Sequence, residues 1–183
     1  MPVDKLFSDI YRHAESLGID TCRELDPGIL VLEERIRALC LEDKCGNYGK
    51  HHMCPPHVGT LDEVREKLTG FQRGALMQYS EPLDLRNDHE GVVRTKLDFH
   101  QKILQLEDML NKKGGSPVWG MIGGSCDLCR PCSAVTGEPC PHLEKARVSL
   151  ESIAVDVIAL LERFGLDSRF HTHRITWTGC VLF

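Results

Sequence analysis

The chain has 183 residues, 42% of them hydrophobic, and a formal net charge of −5. That length suits one domain spanning residues 1–183 with a core of its own, and the acidic balance gives no support to nucleic-acid binding, which calls for a basic patch. The cysteine count is nine, an odd number, and the N-terminus Met1-Pro-Val-Asp-Lys carries no apolar run of signal-peptide length. Together these point to reduced thiols in the cytoplasm rather than a disulfide framework, and no stretch has the apolar length of a membrane helix.

In chain order, Leu6, Phe7, Ile10, Ala14 and Leu17 share one face of a helix over residues 3–18, stopped by Gly18. Asp26-Pro27-Gly28 marks a turn. The β-rich Ile29-Leu-Val-Leu32 suggests a hairpin arm, while residues 33–39 suit a strand or a helix. A glycine- and proline-rich loop then carries Cys40-x4-Cys45-x8-Cys54-Pro55-Pro56. Thr60-Leu-Asp-Glu63 is a capping box, so a helix begins at Leu61 and runs to about Gly70. Residues 74–79 read as a buried strand, 81–87 as a loop, and 90–113 as a long helix. Its apolar stripe holds Phe99, Ile103, Leu106 and Leu110, and Gly114-Gly115 ends it. A short strand over 117–122 leads into the second cysteine group. Beyond that group, Ser149 is expected to cap a helix through Phe164. The last segment alternates, with Ile175, Trp177, Gly179, Val181 and Phe183 on one face and Thr176, Thr178, Cys180 and Leu182 on the other, the period of a strand. The fold class this implies is α/β: a single domain with helices packed on a mixed sheet and cysteine-rich metal-binding loops.

The second cysteine group has the densest chemistry. Cys126-x2-Cys129-x2-Cys132, then Cys140-Pro141, is close to the ferredoxin pattern for a 4Fe-4S cluster, except that the last gap is seven residues rather than three. Zinc accepts four thiolates too, but two separated Cys-x2-Cys pairs suit it better than a triple. Gly123-Gly124 just before the triple lets backbone N–H groups approach cluster sulfurs. In the first group Cys40, Cys45 and Cys54 are candidate ligands, with Cys40 alternatively a small packing residue. His51, His52 and His57 flank them and read as loop histidines, with a nitrogen ligand as the sharper alternative. His171 and His173 carry the same pair of readings; His89 and His100 read as structural or solvated. Cys22 and Cys180 are assigned to packing.

Seven candidate thiolates remain. One cubane uses four and two use eight. In the simplest arrangement Cys126, Cys129, Cys132 and Cys140 hold one cluster, and Cys40, Cys45 and Cys54 hold a second whose fourth iron lacks a cysteine. Crosswise ligation through Cys54 or Cys140 is the alternative, and one cluster beside a structural or zinc-bound first group is the plainest. Arg147, Ser149 and Glu151, at the start of the expected helix, are candidates for holding a small anion or cofactor beside the cluster loop; their bland reading is capping and a surface ion pair. No Walker loop, dinucleotide fingerprint, Ser–His–Asp set or radical-generating Cys-x3-Cys-x2-Cys spacing is present.

Several motifs coincide in order: Cys45-x2-Tyr48-Gly49-x4-Cys54-Pro55-Pro56, Gly123-Gly124-Ser125-Cys126-x2-Cys129-x2-Cys132, Cys140, and Arg147-Val-Ser149-Leu-Glu151. From about Cys40 to the C-terminus the chain resembles a family of predicted cysteine-rich metal-binding proteins of anaerobic bacteria and archaea. Val148 stands where the family pattern has proline after the arginine, a local backbone detail. The resemblance implies a cytoplasmic iron–sulfur protein and supplies no substrate. The leading functional expectation is electron transfer or redox chemistry with a redox partner protein. The alternatives are an enzyme or sulfur- or metal-handling protein with an open iron site, and a structural zinc protein that docks a partner.

Overall fold

In the computed structural model, which describes residues 3–115 and 117–183, strands β1 (Thr21–Leu25), β2 (Gly74–Pro82), β3 (Trp119–Met121) and β4 (Arg174–Leu182) form one sheet in the order β1-β2-β4-β3. Every ladder is antiparallel; a parallel contact occurs as an isolated bridge between Ile122 and Ser149. The C-terminal strand therefore lies inside the sheet. Its alternation buries residues on both faces, as the pleat requires.

Among the described residues, five α-helices accompany the sheet: α1 (Val3–Ser16), α2 (Glu34–Leu41), α3 (Leu61–Leu68), α4 (His89–Lys113) and α5 (Val157–Arg163). On one face, Ile10 and Ala14 of α1 and Phe99, Ile103, Leu106 and Leu110 of α4 pack on Ala75, Met77, Tyr79 and Val181. On the other, Leu61, Val64 and Leu68 of α3 and Leu160 and Leu161 of α5 pack on Leu25, Leu76, Cys180 and Leu182. The result is an α/β protein with helices on both sides of the sheet. Cys22 and Cys180 are buried in these two cores, which accounts for them as packing residues. The α3 capping box is present, with Glu63 N–H donating to Thr60 Oγ1 at 3.2 Å and Thr60 N–H to Glu63 Oε2 at 2.7 Å.

Two local expectations are corrected. Residues 29–32 form no hairpin arm: Pro27–Ile29 is a 3₁₀ turn capped by Asp26, whose Oδ1 accepts from Gly28 N–H at 2.8 Å, and Leu32 makes only a single bridge to Val155. The helix expected over 149–164 is cut to its second half. Ala154 adopts φ 76, its carbonyl accepts from Glu33 N–H at 2.8 Å, and Asp156 starts α5 afresh by accepting from Ala159 N–H at 3.0 Å. Pairing with residues 32–33 claims backbone groups that a continuous helix would need.

Candidate metal centre

The first cysteine loop grows out of α2, whose last turn carries Cys40. Asp43 organises the turns between Cys40 and Cys54. One of its oxygens accepts from Tyr48 N–H at 2.8 Å and the other meets Lys50 Nζ at 3.1 Å; these bonds hold its carboxyl below the ordinary range. Gly46 and Gly49 take positive φ, which a side chain would oppose, and Gly49 N–H reaches Pro55 O at 2.9 Å. So folded, Cys40, Cys45 and Cys54 line one cavity of about 320 Å³, together with Lys96, Ser149 and Glu151.

The second loop leaves β3 through Gly123-Gly124. A Cβ on Gly123 would stand 3.0 Å from both the N and the O of Thr178, so this glycine is required by its approach to β4. The Cys126 sulfur is buried and faced by the N–H groups of Leu128 and Arg147, which favour a thiolate; Cys129 is faced by Ser133 N–H and contacts Cys132. The seven-residue gap before Cys140 is folded back on itself. Ser133–Thr136 is a 3₁₀ turn, Glu138 N–H donates to Ser133 O at 3.1 Å, and Ser133 Oγ donates to Pro139 O at 3.0 Å. Cys140 thereby returns within electrostatic reach of Cys126 and Cys129.

The two loops meet. His52 Nε2 lies 3.1 Å from Ser133 Oγ and 3.0 Å from Glu138 O, which clips one loop to the other. His51 is buried against the Cys126 backbone, and its Nδ1 has no hydrogen-bond partner among the described residues. Cys54 sits between the groups: burial, then the neighbouring thiols of Cys45, Cys40, Cys126 and Cys132, push it up to about 12. Burial raises Cys40, Cys126 and Cys129 in the same direction. Thiols crowded this way keep their protons at neutral pH unless a cation replaces them, the usual condition of a thiolate metal site.

Among the described residues no three histidine, cysteine, aspartate or glutamate side chains close on a single ion-sized point. Cys40, Cys45 and Cys54 border an open cavity instead. Asp127, inside the Cys-x2-Cys-x2-Cys run, is nearly enclosed; burial opposes its charge, but ion pairs to Lys96 and to Arg130, the latter at 2.6 Å, outweigh it and hold its carboxyl low.

The three residues expected to hold an anion part company. Arg147 directs Nε at both Glu107 oxygens, 2.9 Å each, and Nη1 at Glu144 O (3.0 Å) and Ala146 O (2.8 Å). It lines a different cavity, with Lys67 and Trp119. Ser149 is buried in a reciprocal turn with Ser152, each backbone N–H donating to the other's Oγ at 3.1 Å. Glu151 lines the cysteine cavity. Solvent reaches this residue, yet protein surrounds its carboxylate and raises its pKa, eased by its own N–H and the Ser149 hydroxyl. A second cavity, of about 340 Å³, shares Glu151 and Gly124 with the first and extends to Arg169, His171 and Trp177.

A family of predicted metal-binding proteins (DUF2284) matches residues 23–183. The chain belongs to this family. The match takes in β2, β3, β4, the last three residues of β1 and both cysteine loops, and starts well before Cys40. No curated protein and no solved structure matches the chain. Among the described residues of this metal-binding family member, no helix is long and apolar enough to cross a membrane.

No bracing role was legible in the sequence for the residues that hold the family member's cysteine loops in place. His52 and His51 carried a signal, an adjacent pair inside a cysteine loop, but a loop histidine is ordinarily solvated. Lys96 carried none, since a lysine on a helix reads as surface. His100 is buried, with Nε2 at 2.8 Å from Lys145 O, and His89 is exposed.

Proposed function

We propose that the chain is a cytoplasmic iron–sulfur protein that holds two cubane centres side by side and exchanges electrons with a redox partner protein. The observation that carries this reading is the position of Cys54, which lines the cavity of the first thiol group and feels Cys126 and Cys132 of the second. Centres built on thiol groups this close exchange electrons readily. Cys126, Cys129, Cys132 and Cys140 would hold one cluster, and Cys40, Cys45 and Cys54 three irons of the other. When bound, the clusters supply one-electron chemistry. The protein bars bulk water from Cys126 and Cys132, both nearly buried, and directs backbone N–H groups at Cys126 and Cys129; such bonds tune cluster potentials.

A second reading, an enzyme or sulfur- or metal-handling protein using an open iron site, is favoured by the second cavity that adjoins the first at Glu151 and Gly124.

The test is iron, acid-labile sulfide and zinc per chain in untagged protein purified without oxygen. Two cubanes give about eight iron and eight sulfide, and the reduced protein then shows an electron-spin signal broadened by coupling between neighbouring clusters. Zinc without sulfide overturns both redox readings in favour of a structural zinc protein that docks a partner.

A further inference from the structure

We infer that Glu151 is the non-cysteine ligand of the centre held by Cys40, Cys45 and Cys54, its carboxylate binding the iron those three thiolates leave over. The inference rests on the iron–sulfur reading above. Three thiols face the cavity, where a cubane with full thiolate ligation needs four. The other cysteines are placed elsewhere: Cys22 and Cys180 are sealed in the two cores, and Cys126, Cys129, Cys132 and Cys140 gather in the second loop.

Glu151 is the carboxylate on the wall of that cavity, and it lies within electrostatic reach of Cys40. No cation is paired with it among the described residues. The lysine of the same cavity, Lys96, is committed to Asp127. A carboxylate that shares a cavity wall with three thiols and has no counter-charge of its own is completed by a cation, and an iron does so directly.

The backbone around Glu151 is built to hold it there. The Ser149–Ser152 turn is buried and doubly bonded, and the left-handed Ala154 ends the turn where a helix would have continued. Were residues 149–164 one helix, Glu151 would occupy its first turn as an ordinary capping acid. The bonded turn instead holds Glu151 on the cavity wall. Oxygen is a harder donor than thiolate, so the iron it binds differs electronically from the other three.

The experiment compares full-length wild-type protein with Glu151→Cys, Glu151→Gln and Glu151→Ala, all prepared without oxygen with ⁵⁷Fe. The expected Mössbauer spectrum of the wild type contains an iron subsite of oxygen-ligated character, about one iron per chain. Glu151→Cys converts that subsite to the thiolate type. Glu151→Gln and Glu151→Ala lose about one iron per chain on mild oxidation and gain the electron-spin signal of a three-iron cluster. Glu151→Cys retains a ligand, so its result separates a lost ligand from a lost fold. Full iron and sulfide with spectra that do not change between wild type and variants overturn the role of Glu151 alone. Absence of acid-labile sulfide from the wild type overturns this inference together with the iron–sulfur reading.

Discussion

Glu107 and Arg147 are joined by a fork inside the protein: Arg147 Nε stands 2.9 Å from each Glu107 oxygen, and Nη2 2.8 Å from Oε2. The same carboxylate accepts Gly120 N–H at 2.6 Å. Three segments are thereby tied together, α4, β3 and the stretch after the second cysteine loop. Removing one member of a buried pair leaves the other charge uncompensated, at about 3–5 kcal/mol. Glu107→Ala is expected to lower stability by roughly that amount, read as a fall in the urea midpoint with an unchanged slope. Metal per folded chain should stay as in the wild type, because neither side chain lines the cysteine cavity and Arg147 meets Cys126 through its backbone N–H. A loss of metal at unchanged stability would contradict this structural role.

The fold was largely legible because its main elements are amphipathic. α1, α3, α4 and β4 each announce themselves by a period of apolar residues, and the Thr60–Glu63 box marks its helix start. What escaped was set by tertiary pairing. Residues 149–164 have helical periodicity throughout, yet Val155 bridges Leu32 and Ala154 O takes Glu33 N–H, contacts between segments far apart in sequence. The two thiol groups were legible from their spacing, and so was the possibility that they meet. The clip between them was not, because His52 finds Ser133 and Glu138 only once both loops are folded. Arg147 and Glu151 sit close in sequence, and only the three-dimensional structure sends them into different cavities.

His100 predicts an acid weakness. The ring is buried in α4, Nε2 bonds Lys145 O at 2.8 Å, and Nδ1 has no partner among the described residues. Burial lowers its pKa, and the charge of Arg147 adds to this against the partial support of the Lys145 carbonyl. The folded protein therefore binds this proton less readily than the unfolded chain. The stabilisation is present above about pH 6.5, the unfolded value, and is lost as pH falls through the depressed folded pKa. The urea midpoint should drop between pH 7 and 5, with a slope of at most about 1.4 kcal/mol per pH unit for this one proton. Glutamine has no titrating group, so His100→Gln should flatten the dependence. His51 is shifted the same way by burial, so some slope remains. An unchanged slope in His100→Gln would rule out this residue as the source.

Gly179 predicts a packing defect in the middle of the sheet. It lies on β4 opposite Met77. A Cβ there would run into the Met121 carbonyl oxygen and approach the Phe99 ring at 2.9 Å. The carbonyl belongs to the neighbouring strand and cannot swing aside as a side chain would. Gly179→Ala should therefore cost at least the 1–3 kcal/mol typical of overpacking, about the upper end of that range. The thermal midpoint is the direct readout. A midpoint within error of the wild type would show that β3 can move away from β4 at no cost.

His52 predicts how firmly the metal is held. Its Nε2 reaches both Ser133 Oγ and Glu138 O, at 3.1 and 3.0 Å, so one side chain fixes the first cysteine loop against the turn that returns Cys140 to its group. It is an orienting residue rather than one of the seven candidate thiol ligands. Losing such outer partners typically weakens metal retention by about 10–100-fold. His52→Ala should leave the metal type and the amount in freshly prepared protein unchanged, while a chelator strips that metal about tenfold faster. His52→Gln keeps a polar group near the same two oxygens and should recover part of the retention. Equal stripping rates in wild type and His52→Ala would mean that the two loops are held together without this clip, by the thiols and the metal alone.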